Sequence, residues 1–234
     1  MNRRYIDLTS LADRYRTDKG SVDGDCHLYT ELYSACFESF RLEAFNLLEL
    51  GLLRSPNRDE ENHPVSRLVD RTPSVDMWLE YFPNASVFGF DLADFSPLRK
   101  PRFTFVRGDL SIDSDVNQLA GSVPNPRIVI DDASHASFHQ QRAFLKLFPI
   151  VEPGGFYVVE DLHYSPPFES SLPSCRLMVD IVSDFLNSGE LHLDFGTSED
   201  SGKLEAQISN TFVHCSARGR KEWGPKLVIF QKSA

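Results

Sequence analysis

The sequence predicts an α/β fold of the Rossmann-like kind, with a mostly parallel seven-stranded sheet that ends in an antiparallel hairpin. Short apolar runs recur through the middle of the chain, and several end in an acidic residue. Segments of helical periodicity separate them, and two further β-like runs close the chain. Strands alternating with helices build a parallel sheet through right-handed crossovers.

The five central runs cover residues 45–51, 86–91, 103–109, 127–132 and 155–161. Each is rich in β-branched or aromatic residues, as a strand buried on both faces requires. Residues 74–81 carry Val75, Trp78 and Leu79 at helical spacing and stop at Pro83. Residues 136–148 align Phe138, Phe144, Leu145 and Phe148 in a stripe that Pro149 ends. Pro166, Pro167 and Pro173 mark a loop, after which 176–186 again reads as a helix with Leu177, Met178, Ile181, Val182 and Phe185 inward. The closing runs, 211–215 and 226–232, flank ten residues containing Gly219, Gly224 and Pro225, which suits a long hairpin. Ahead of the sheet domain at 43–234 lies a segment, 1–42, helical over 8–15 and 29–40 with a polar turn at 17–21. It reads equally as a lid over the open end of the sheet and as an oligomer contact.

A length of 234 residues suits one such domain with appended elements. The formal net charge of -10 argues against a polyanionic partner, so no nucleic acid is expected. No apolar run reaches the roughly 18 residues a bilayer span needs, and the N-terminus lacks the apolar core of a secretory signal. No membrane partner is expected, and the cytoplasm is the expected location. Cys26, Cys36, Cys175 and Cys215 lie far apart with no CxxC pair, so they are expected to be reduced and structural.

Ligands of open α/β sheets bind outside the carboxyl ends of the strands, where Glu49, Asp91, Asp109, Asp132, Glu160 and Asp161 fall. Gly51, after Glu49, permits close backbone approach to a ligand, and Glu49 can accept hydrogen bonds from a cationic amino group. Asp91 sits where an acid holds ribose hydroxyls, and Asp109 is placed to approach an adenine ring. Three acids in this order point to a nucleoside-containing cofactor. The chain has no GxGxxG and no GxxxxGK[ST], the glycine-rich cradles that dinucleotides and nucleoside triphosphates need for their phosphates. S-adenosylmethionine carries no phosphate and fits that absence. Asp132, Glu160 and Asp161 form an all-oxygen set suited to magnesium or another hard divalent cation. His135, three residues beyond Asp132, has the intrinsic pKa of a general base. The bland alternative makes Asp131 a helix cap and the other acids solvated strand ends. His139 and His163 read as flanking residues, and His27, His63, His192 and His214 form no pattern.

Several stretches, in this order, resemble the magnesium-dependent sugar O-methyltransferases of macrolide tailoring, the mycinamicin and macrocin type. They are ADRYRTDKGS at 12–21, HLYTELY at 27–33, LLELG at 47–51, MWLEYFPNA at 77–85, FGFD at 88–91, IDDASH at 130–135 and PGGFYVVED at 153–161. The resemblance runs from about residue 11 to 165 and implies a class I methyltransferase fold with S-adenosylmethionine as donor. It implies Asp132, Glu160 and Asp161 as metal ligands and His135 as base. Glu49, Gly51, Ser74, Asp91, Asp109 and Asp132 would face the cofactor. The Asp18-Lys19-Gly20-Ser21 turn would belong to a lid with Tyr29 and Tyr33 nearby, and the chain is expected to be a homo-oligomer. One departure stands out: a polar insert at 52–74 replaces the usual glycine-rich turn. It would reshape the methionine end of the pocket, act as a substrate lid or signal altered cofactor use. The expected reaction is metal-dependent methyl transfer to a hydroxyl of a small-molecule acceptor. A metal-free S-adenosylmethionine enzyme (N-methylation or cyclisation) and a non-catalytic binding subunit on the same fold are the alternatives.

Overall fold

The computed structural model describes residues 7–22, 27–52, 71–215 and 224–234. Most of the polar insert, Cys26, His63 and Gly219 lie outside them.

Five parallel strands form the centre: β1 (Asn46–Leu50), β2 (Ser86–Asp91), β3 (Phe103–Arg107), β4 (Ile128–Asp131) and β5 (Phe156–Val159). The last two strands, β6 (Ile208–Cys215) and β7 (Pro225–Lys232), pair antiparallel with each other, and β7 pairs antiparallel with β5. The sheet order is β3-β2-β1-β4-β5-β7-β6, seven strands in all as expected. After β3 the chain crosses back to place β4 on the other side of β1, so the strand order reverses between β1 and β4. This is the switch point where α/β sheets open a crevice for ligands.

Side chains alternate between the two sheet faces, because successive Cβ atoms of a strand point to opposite sides. Leu47, Ile128, Ile130, Phe156, Val158, Leu227 and Ile229 pack into one core layer. Leu48, Leu50, Val129, Tyr157, Val159, Val228 and Phe230 pack into the other. The first layer is covered by α1 (Leu8–Tyr15), α2 (Tyr29–Phe37) and α3 (Pro73–Tyr81), which contribute Leu8, Leu11, Tyr29, Tyr33, Phe37 and Trp78. The second is covered by α4 (Asp113–Ser122), α5 (Ser137–Leu147), α6 (Met178–Ser188) and α7 (Ser198–Glu205). Helices α4 and α7 were not expected from the sequence. Each shows little apolar surface: α4 buries Val116 and Leu119, and α7 buries Ser201 and Leu204. Their signal is local instead, since α7 opens with a capping box between Thr197 and Asp200.

The N-terminal segment is part of the core. Tyr29, Tyr33 and Phe37 are all fully buried, and α1 packs against α3. The Asp7 carboxylate caps α1 by accepting from the Ser10 amide at 2.8 Å. Among the described residues, no helix is long and apolar enough to cross a membrane. Cys36, Cys175 and Cys215 are free thiols, and Cys215 is exposed where a structural cysteine was expected.

Candidate active site

Backbone ladders run past the strand ends and carry the acids with them. The Gly51 amide donates to the Phe90 carbonyl at 2.8 Å, Asp132 to Leu50 at 3.0 Å and Glu160 to Asp131 at 2.9 Å. Alternation then turns Glu49 toward the α1–α2 face, in step with Leu47, and Glu160 follows Phe156 and Val158 to the same side. Gly51 marks the closest approach in the crevice. Its φ is 81°, and a Cβ there would lie 2.2 Å from the Asp132 carbonyl oxygen, so only glycine fits.

On this face the acids form two tiers that meet at Asp132. The inner tier is sealed: Glu49 is 0% and Glu160 2% exposed, and Lys19 stands between them at 1%. The Lys19 ammonium donates to both Glu160 carboxylate oxygens at 2.9 Å and to Asp132 Oδ2, with Glu49 Oε1 at 3.9 Å. The Tyr33 hydroxyl donates to Glu160 Oε1 at 2.5 Å, and the Ser74 hydroxyl to Glu49 Oε2 at 2.9 Å. Burial disfavours the Lys19 charge, but Asp132, Glu160 and Glu49 outweigh it and hold the ammonium well above its ordinary pKa. Burial lifts the Glu49 carboxyl to about 7 despite Lys19, and burial with the neighbouring Asp132 charge raises Glu160.

The outer tier faces the crevice. Asp132, His135 and Asp161 each offer one ligand atom, and those atoms lie within 4.8 Å of one another. Their side chains keep 21%, 20% and 16% exposure. His135 Nε2 is 3.8 Å from Asp161 Oδ2, and its ring meets Tyr164 edge-on. The Tyr29 hydroxyl donates to Asp161 Oδ1 at 2.6 Å, and His27 stacks on Tyr29 with Nε2 3.7 Å from the same oxygen. Burial works to raise the Asp161 pKa, but His135, His27 and the Tyr29 hydroxyl overcome it and bring it to about 2. His135 (φ 60°) and Asp161 (φ 52°) both adopt left-handed backbone, a conformation that costs a non-glycine residue and clusters at functional sites. His135 Nδ1 is buried and has no hydrogen-bond partner among the described residues. Two carboxylates with an imidazole beside them fit a divalent cation with a base at its side.

The structure thus gathers Asp132, Asp161 and His135 and turns Glu160 inward, onto Lys19 and Tyr33. Asp91 and Asp109 lie across β1, beyond the Asp132, His135 and Asp161 cluster. Asp91 accepts from the Leu52 and Ala93 amides, both at 2.8 Å, and burial raises its pKa. Asp109 follows the end of β3 and accepts from the Ser111 amide at 2.7 Å. His139 bridges the two sides: Nε2 pairs with the Ser111 hydroxyl at 2.7 Å and Nδ1 with that of Ser134 at 2.6 Å. Asp131 caps no helix; the cap position of α5 is Ala136. Lys19, Tyr29 and Tyr33 are site residues that the sequence placed no closer than a covering lid, and His27 is one to which it gave no role. The signal for the tyrosines was their spacing four apart on one helix, each needing a partner for its hydroxyl.

Burial also raises the Asp131 carboxyl to about 7. A carboxyl whose folded pKa exceeds its unfolded value binds more protons when folded, so stability falls as pH rises between the two. Metal-free protein is therefore expected to melt lower as pH climbs from about 4 to about 7, through Glu49 and Asp131. Asp131→Asn should flatten that slope. An unchanged slope in thermal melts across this range would show that Asp131 ionises freely in the fold.

A seven-stranded sheet of this order, with acids ranged along its carboxyl edge and a cation-sized cluster beside the switch point, defines a class I methyltransferase framework. No family model matches the chain. Among curated proteins it is 37% identical to the 8-demethyl-8-alpha-L-rhamnosyl tetracenomycin-C 2'-O-methyltransferase of Streptomyces olivaceus over 166 residues, 70% of this chain and 40% of that one. It is 34% identical to the demethylmacrocin O-methyltransferase of Streptomyces fradiae over 201 residues, 82% of this chain and 47% of that one. The MycE methyltransferase of the mycinamycin biosynthetic pathway, solved in complex with Mg and SAH, superposes with a TM-score of 0.74 at 25% identity. That match covers 98% of this chain and 55% of the other. The chain belongs to the family of sugar O-methyltransferases typified by the mycinamicin, macrocin and tetracenomycin enzymes. It spans about half the length of the relatives it matches.

Proposed function

We propose that the chain transfers a methyl group from S-adenosylmethionine to a sugar hydroxyl of a small-molecule secondary metabolite, assisted by magnesium or another divalent cation. The observation that carries this reading is the convergence of Asp132, His135 and Asp161 at the ends of β4 and β5. The named relatives are O-methyltransferases, and MycE was solved with Mg, SAH and mycinamycin VI.

Asp132 and Asp161 would hold the cation, with Glu160 behind them on Lys19. When bound, the cation lowers the pKa of an acceptor hydroxyl and orients its oxygen. The chain supplies the rest. His135 accepts the hydroxyl proton at Nε2, and Asp161, 3.8 Å away, stabilises the imidazolium that results. Ser74 and Gly51 border the amino-acid end of the donor, with Glu49 behind them accepting from the Ser74 hydroxyl. Asp91, oriented by two backbone amides, accepts from the ribose hydroxyls, and Asp109 borders the adenine. Holding donor methyl and acceptor oxygen in line supplies much of the rate. Chelation is expected to cut methyl transfer by roughly 100-fold or more and added magnesium to restore it. Full activity in EDTA would overturn the metal half of this reading.

A second reading, cofactor use without a metal, is favoured by the Lys19 ammonium, which already pairs with Asp132 and Glu160. We propose further that the chain forms a homo-oligomer, which light scattering in solution checks.

A further inference from the structure

We propose that Lys19 is a built-in counter-ion of the cation site, a tethered ammonium that keeps the inner acids folded and sets how tightly a divalent cation is held at Asp132 and Asp161. This inference rests on the divalent-cation reading above.

The placement of Lys19 is built, not incidental. Its carbonyl accepts from the Thr30 amide at 3.2 Å, while the His27 amide donates to Asp18 at 2.9 Å and Leu28 to Gly20 at 3.1 Å. These bonds clip the turn to the start of α2. From the other side, Asp13 accepts from the Ser21 amide and hydroxyl, each at 2.6 Å. A Cβ at Gly20 would stand 2.3 Å from Asp13 Oδ1 and 3.2 Å from the Asp13 amide nitrogen, so a larger residue after Lys19 would push on the carboxylate that holds the turn. The outcome is a long side chain threaded to 1% exposure with its charge on Glu160 and Asp132.

Two consequences follow from electrostatics. Without a cation or Lys19, Glu49 and Glu160 would be buried carboxylates with no opposite charge, a costly arrangement; Lys19 offsets part of that cost in the metal-free chain. The same ammonium also shares the Asp132 carboxylate with any ion bound on the outer tier. Like unit charges about 5 Å apart, at an effective dielectric near 20, shift an equilibrium by roughly 10²–10³-fold, and a dication by about the square of that, before the surroundings relax. Lys19 therefore loosens the site for a dication and makes the bound ion exchangeable.

The test is Lys19→Met, which keeps the apolar stem and removes the charge. Mn2+ is titrated into metal-free wild type and variant, free Mn2+ is read by electron paramagnetic resonance, and melting is followed in EDTA and in saturating Mn2+. The variant is expected to bind Mn2+ about tenfold or more tightly. It should melt lower than wild type in EDTA and recover most of that loss in Mn2+. Lys19→Gln, which retains a donor toward Glu160, gives the same comparison if the methionine variant does not fold. Unchanged or weaker Mn2+ binding overturns the inference, because a purely structural or ligand-orienting lysine predicts that result. Wild type that binds no Mn2+ at millimolar concentration removes the cation reading itself, and this inference with it.

Discussion

Asp132→Asn is expected to abolish most methyl transfer, by roughly 100-fold or more, and to weaken Mn2+ binding in parallel. Asp132 is the point where the two tiers meet: it accepts from Lys19 on one side and joins His135 and Asp161 on the other. The amide keeps the shape and an acceptor oxygen but gives up the charge that a hard cation requires. His135→Ala is the companion variant. It should lose roughly 10²–10⁴-fold in turnover, the range a general base supplies, while retaining most Mn2+ affinity if Asp132 and Asp161 carry the ion. Single-turnover assays beside Mn2+ titrations separate the two roles. An Asp132→Asn enzyme that keeps more than a tenth of wild-type turnover would favour metal-free chemistry on this fold.

Gly51→Ala is expected to be the most damaging small substitution in the crevice. The φ of 81° is unfavourable for any L side chain, and the added methyl would lie 2.2 Å from the Asp132 carbonyl and 2.6 Å from the Ala133 Cα. Both opposing atoms are backbone, so relief requires β1 and β4 to part at the switch point. The left-handed conformation alone costs about 1–3 kcal/mol, and each kcal/mol lowers melting by roughly 2–4 °C in a domain of this size. Cofactor affinity should fall more than tenfold by calorimetry, because Glu49 and Asp132 are held by the strand ends that must move. A variant with wild-type melting and cofactor affinity would show that the crevice opens at little cost.

The strands were readable because a parallel strand covered on both faces must be apolar throughout, as Leu47, Leu48 and Leu50 in β1 and Phe156 through Val159 in β5 are. Helices with broad apolar stripes, such as α5 and α6, announced themselves for the same reason. Helices α4 and α7 did not, since a helix that buries one or two apolar side chains looks like solvated chain.

The acids at the strand ends were equally legible, because a charge that closes an apolar run lies at the sheet edge wherever the sheet forms. The order Glu49, Asp91, Asp109, Asp132, Glu160, Asp161 and the imidazole at 135 follow from the amino-acid sequence alone. Tertiary structure decided which acids share a tier. Lys19 meets Asp132 across 113 residues and Glu160 across 141, and nothing local in a polar turn shows that its ammonium will be buried. Desolvation and charge pairing depend on what packs around a group, and that is settled only when distant segments of the chain close on the same face of the sheet.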